Sequence, residues 1–167
     1  MATSIRRIYV LMGALLIGFA AIQPSPRAIA QPKQPLLMIM AATSGITNIE
    51  IAQVRSAYDG ATTEVKGLRL VPLNLPVGDP ARIVIDKVIL GLSLERVGAY
   101  WVDQRIRHNR QPPRTIPSPE LMLRVVASMR GAIGYVKMSS ARVPAGLRVL
   151  SVQGEKPIEP RYLFAGH

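Results

Sequence analysis

The side chains that most often carry chemistry are sparse in this 167-residue sequence. It has two histidines, His108 inside an arginine-rich segment and His167 at the C-terminus, and no cysteine. There is no H-x-x-x-H pair, no carboxylate cluster with metal-ligand spacing and no G-x-S-x-G elbow. Ser139 and Ser140 have no histidine near them in sequence to act as a base, so they read as turn residues. Asp79, Asp86 and Asp103 fall at helix starts or on helix faces, where capping and solvation account for them. These residues point away from an enzyme and require no cofactor. The starts of helices are better candidates, because free backbone N–H groups and the helix dipole attract anions there. Ser44-Gly45, Gly78-Asp79-Pro80 and Ser118-Pro119 are three such starts. Plain capping explains any one of them alone.

The elements that must position these residues follow from apolar periodicity and its punctuation. Leu36 to Ala41 is a continuous apolar run ended by Thr43-Ser44-Gly45, which predicts a strand buried on both faces, as in a parallel sheet. Thr47 and Glu50 have capping-box spacing, predicting a helix from about Asn48 to Tyr58. Strands are expected at Thr62–Val65 and Leu68–Leu73, around Lys66-Gly67. Asp79 is expected as an N-cap with Pro80 in the first turn of a helix that Gly91 ends. A helix from Leu94 to about Ile106 carries Val97, Tyr100, Trp101 and Ile106 as expected core residues. Arg107 to Pro117, with three prolines, reads as a loop. Ser118-Pro119-Glu120 opens a further helix that ends at Gly131. Ile133 to Val136 then returns as a buried strand, with Gly134 marking the close approach of another backbone or a ligand. A turn at Pro144-Ala145-Gly146 precedes a strand from Leu147 to Val152. Alternating strands and helices make this an α/β layered domain.

Residues 1–30 have the pattern of a secretory signal peptide. Arg6 and Arg7 precede an apolar run from Ile8 to Ile22, followed by the small-residue site Ala28-Ile29-Ala30. That run is shorter than the ~20 residues a membrane-spanning helix needs, so cleavage after Ala30 and a periplasmic product with no membrane span are expected. A flexible lead-in, 31–35, a single domain over 36–153 and a C-terminal tail, 154–167, then complete the chain. The net charge is +11, from 21 basic and 10 acidic residues. The leader contains three of the basic residues and none of the acidic ones, leaving +8. Arg105, Arg107, Arg110 and Arg114 fall in one segment. A solvated basic surface explains most of these arginines and an anion-binding cleft is the sharper alternative. Nucleic acid ranks last, since no recognisable binding motif accompanies the charge.

From about Thr47 to Val152 the chain resembles the phosphate-binding solute receptors of ABC transporters. The resemblance rests on Ala57-Tyr58-Asp59-Gly60, on Leu70-Val71-Pro72-Leu73-Asn74 leading through a glycine turn into a helix, on Tyr100-Trp101, and above all on Gly131-Ala132-Ile133-Gly134-Tyr135-Val136. It implies a type 2 periplasmic-binding-protein fold, here essentially one complete lobe with a truncated second lobe. It also implies phosphate or another small oxyanion as ligand, and an ABC permease or another envelope protein as partner. The candidate ligand-loop positions are Thr43 and Ser44, at the first helix start, and Asn74, Gly78 and Asp79, which stand near the family's phosphate-contacting residues. The last three of these depart from the family pattern. Asn74 stands near the position of the family's arginine, and Gly78-Asp79-Pro80 stands near its Ser-Gly-Thr. A carboxylate and a proline at a helix start would oppose an incoming dianion. Two functions are therefore expected: a reduced receptor with a degenerate anion site, or a non-transport envelope module that has lost its ligand.

Overall fold

The structure is a computed structural model that describes residues 34–137, 142–157 and 161–164. The leader expected over residues 1–30, together with Ser139, Ser140 and His167, lies outside the described residues.

Leu36–Ala41 forms β1, with all six residues buried. It is the inner strand between β7 (Ala132–Lys137) and β8 (Leu147–Val149) in a five-stranded sheet of order β6-β5-β7-β1-β8. Burial on both faces was expected, but the direction was not. β1 runs antiparallel to both neighbours, pairing Leu36 with Lys137, Met40 with Ile133 and Ala41 with Leu147. β5 (Val71–Asn74) pairs in parallel with β7 and β6 (Arg114–Thr115), and β8 points the same way as β7, so β1 alone is reversed in this sheet.

Helices cover both faces of this sheet. Successive strand residues point to opposite faces. At Gly134 a Cβ would lie 2.6 Å from Met122 Sδ and 2.9 Å from Val126 Cγ2 of α4 (Pro119–Ser128). Helix side chains, and not the expected backbone or ligand, thus make the close approach there. At Tyr135, on the other face, the ring packs 6.0 Å from that of Tyr58 at the end of α1 (Ile51–Tyr58). One continuous apolar core runs through both layers and includes Tyr162 and Phe164 from the C-terminal segment.

Several boundaries differ from expectation for local reasons. The first helix starts at Ile51, because Asn48–Ile49 is drawn into a short strand, β2, that pairs in parallel with β9 (Ser151–Val152). Asn48 Oδ1 accepts from Ser151 Oγ (3.0 Å) and Gly154 N (2.8 Å), which fixes that segment. The N-cap is therefore Glu50, reciprocated by Gln53, and not Thr47. The expected strand Leu68–Leu73 divides at Leu70 into β4 (Leu68–Arg69), hairpinned with β3 (Glu64–Val65), and β5. The expected strand Leu147–Val152 divides likewise at Leu150 into β8 and β9. Asp79 and Pro80 open α2 (Pro80–Ile85), which continues as a π-helical turn, Asp86–Leu90, up to Gly91. α3 runs Val97–His108, so the segment from Arg107 begins as helix and later contributes β6. Val97 and Trp101 are buried as expected, whereas Ile106 is 78% exposed. Among the described residues, no helix is long and apolar enough to cross a membrane.

Candidate functional site

Strand direction divides the five sequence candidates into two groups. Val71 pairs with Ala132, which puts Asn74 level with Tyr135, well along β7. Met40 pairs with Ile133, so β1 runs the other way and delivers Thr43 and Ser44 below the start of β7. The two groups are separated by about five strand residues, ~16 Å. A single small ion therefore contacts one group or the other, and not both.

The first group surrounds the start of α2. Asn74 is buried at the end of β5, and its Oδ1 accepts from the Tyr135 hydroxyl at 3.0 Å. That hydroxyl accepts in turn from Leu75 N at 3.1 Å. Tyr58 donates to the Leu73 carbonyl at 3.1 Å in the same layer. Burial pushes the Tyr135 phenol well above its ordinary value, so it stays a donor. Gly78 is exposed with φ +92, a left-handed conformation that frees the chain to turn into α2. Asp79 then closes the helix start: its Oδ1 accepts from Ala81 N at 2.8 Å and from Arg82 N at 3.4 Å. Pro80, between them, has no N–H to offer. The buried cation at this end, among the described residues, is also spoken for. Arg82, 3% exposed, donates from Nε to both oxygens of Asp86 at 2.8 Å and from Nη1 to the Leu75 carbonyl at 3.0 Å. The site is thus a closed polar network in which a carboxylate holds the N–H groups an anion would need.

The second group borders a cleft of 420 Å³ at the opposite end of the sheet. Thr43 and Ser44 come from a 3-10 turn after β1, Lys66 from the tip of the β3–β4 hairpin, and Ser128, Arg130 and Gly131 from the junction of α4 and β7. Thr43, Lys66, Ser128 and Arg130 are exposed. No acidic side chain lines this cleft among the described residues. Residue type alone did not single out Lys66, Ser128 or Arg130. The available signal was Lys66-Gly67 itself, a two-residue hairpin turn with lysine where asparagine is the usual choice.

The arginine-rich segment is partly structural. Arg110 forms an ion pair with Asp59, which also accepts from the Tyr100 hydroxyl, tying the end of α1 to α3. Arg107 pairs with Asp103 on the exposed face of α3 at 2.5 Å. Trp101 is buried with Leu92 and Val97, and its ring meets Tyr100 edge-on at 5.2 Å, so both aromatics pack as expected. Among the described residues, no group of three or more His, Cys, Asp or Glu side chains could hold a metal ion.

No family model matches the chain, nor does any curated protein. Solved structures do. An ABC-type phosphate transport receptor from Vibrio cholerae superposes with TM-score 0.57 at 14% identity, covering 75% of this chain and 49% of that one. A putative phosphate ABC transporter substrate-binding protein with bound phosphate from Clostridium perfringens gives 0.58 at 15% identity, covering 75% and 48%. PstS from Borrelia burgdorferi gives 0.55 at 16% identity, covering 75% and 50%. The chain spans about half the length of these receptors. Its mixed α/β fold is that of the phosphate-type transport receptors, over the extent expected of a single lobe.

Proposed function

We propose that this protein is an exported, solute-receptor-like module of the cell envelope whose ion-binding helix start is filled by its own Asp79. On this reading it works as an accessory or partner-binding component and not as a high-affinity phosphate receptor. The observation that carries this reading is the Asp79 carboxylate on Ala81 N and Arg82 N. An incoming anion about 4 Å from that carboxylate meets a repulsion of ~1 kcal/mol in a water-like dielectric and ~4 kcal/mol in the range typical near a protein surface. It also loses the Pro80 donor, and it finds Arg82 already neutralised by Asp86. The basic leader pattern of residues 1–30 supports export to the periplasm, with the mature chain starting at Gln31.

Calorimetry of the protein with phosphate, sulfate and molybdate tests this. No heat is expected with the anion at millimolar concentration; a Kd in the low micromolar range would overturn the reading. A second function, delivery of a small oxyanion to an ABC permease, is supported by the net charge of +8 that remains without residues 1–30 and by the likeness to a receptor with bound phosphate. Growth of a deletion strain on limiting phosphate separates the two, since only a carrier leaves the strain phosphate-starved.

A further inference from the structure

We propose that the cleft between the 3-10 turn, the β3–β4 hairpin and the end of α4 binds an anionic sugar, either a hexuronate or a sugar phosphate. The inference is independent of the helix start at Asp79 and goes beyond the function proposed above. Size is the first argument. A volume of 420 Å³ lies within the range of small-molecule pockets, ~300–1,000 Å³. A bare oxyanion, at roughly 30 Å³ for each water-sized unit it displaces, would leave most of it empty.

The donor and acceptor pattern is the second argument. Lys66 and Arg130 supply two positive charges and no lining residue supplies a negative one, so an anionic group is favoured. The end of α4 supplies the opposite requirement. Its C-cap, Met129, is extended, and the carbonyls of Ala127 and Ser128, two residues that line the cleft, accept no backbone N–H among the described residues. A helix end of this kind carries roughly half a negative charge and seeks donors. A purely anionic ligand would be repelled there, whereas sugar hydroxyls would donate to those carbonyls. The hydroxyls of Thr43, Ser44 and Ser128 can give or take hydrogen bonds on the same ligand.

Lys66 itself points the same way. Its φ of +51 and the +73 of Gly67 make the hairpin tip left-handed at both positions, which suits Asn-Gly and disfavours lysine. Turn geometry therefore does not account for a lysine at this position. Arg130 complements the dipole of α4 in any case, but Lys66 sits on a separate hairpin and has no such role.

The test is an amide-resolved NMR titration of the protein with glucuronate, glucose 6-phosphate, glucose and inorganic phosphate at one ionic strength. Glucuronate or glucose 6-phosphate is expected to give saturable shifts at Ser44, Gly67, Ser128 and Gly131, binding about tenfold or more tightly than glucose or phosphate. Lys66→Asn removes the charge but suits the turn, so this variant should melt no lower than the parent and bind about tenfold more weakly. Equal affinity for phosphate and glucose 6-phosphate, shifts that map elsewhere, no saturable shift, or unchanged binding by Lys66→Asn would each overturn the proposal.

Discussion

Three glycine-to-alanine substitutions separate backbone strain from steric overlap, and the structure ranks them in advance. Gly45 has φ +70, with nothing within 4 Å of a Cβ placed there. Gly45→Ala therefore pays only the left-handed conformation, ~1–2 kcal/mol. Gly134 has no such strain, but its added Cβ would overlap Met122 Sδ at 2.6 Å and Val126 Cγ2 at 2.9 Å. Overpacking of this kind costs ~1–3 kcal/mol. The flexible methionine can retreat, which places Gly134→Ala in the lower part of that range. Gly131 combines both penalties. Its φ is +79, and a Cβ would stand 2.2 Å from the Arg69 carbonyl oxygen, a backbone atom with no rotamer to change. Relief requires β4 to move away from β7. That movement also threatens the 2.9 Å bond from Val71 N to the Gly131 carbonyl, which sets the β5–β7 register. The expected loss for Gly131→Ala is about 4 kcal/mol or more, from strain at ~1–2 kcal/mol plus overpacking with no relief at ~3 kcal/mol. Urea denaturation of the three variants, with a common m-value, measures the series. If Gly131→Ala falls within ~1 kcal/mol of Gly45→Ala, the reasoning fails, because the backbone would have yielded where the packing says it cannot.

Arg82→Met leaves the Asp86 carboxylate buried without its guanidinium, a loss of ~3–5 kcal/mol, while Arg82→Met combined with Asp86→Leu should recover most of it; denaturant midpoints of the two variants give the comparison. Alkali should unfold the protein together with tyrosine ionisation. Burial raises the phenols of Tyr58 and Tyr135 well above 10 and that of Tyr162 to about 12. Above pH 10 the unfolded chain loses these protons and the folded chain keeps them, so stability is intact below pH 10 and falls as pH rises toward the folded values. Each tyrosine contributes ~1.4 kcal/mol per pH unit, about 4 kcal/mol for the three at pH 11. Phenolate absorbance that climbs smoothly before any loss of far-UV ellipticity would contradict this.

Much of the fold was legible because its signals are local. Asp79-Pro80 and Ser118-Pro119 cap their helices through side-chain atoms two or three residues away, and the sequence states those spacings outright. Gly131 was legible for the same reason, as a left-handed residue between a helix and a strand. The errors arose where a distant partner decides. Asn48–Ile49 joins a strand because residues 151–154 hold it, and Arg114–Thr115 becomes an edge strand only because β5 lies beside it.

The candidate site failed to converge for a related reason. Leu36 to Ala41 reads identically whether its neighbours run parallel or antiparallel, since both leave every side chain buried. Its direction nevertheless decides which end of the sheet receives Thr43 and Ser44. A parallel β1 would have carried them to the end where Asn74 and Asp79 lie. The antiparallel pairing of Met40 with Ile133 carries them instead to Lys66 and Arg130. One undetermined bit, the sense of a single buried strand, thus separates a closed helix start from a cationic cleft. The two sites must be tested as different sites with different ligands.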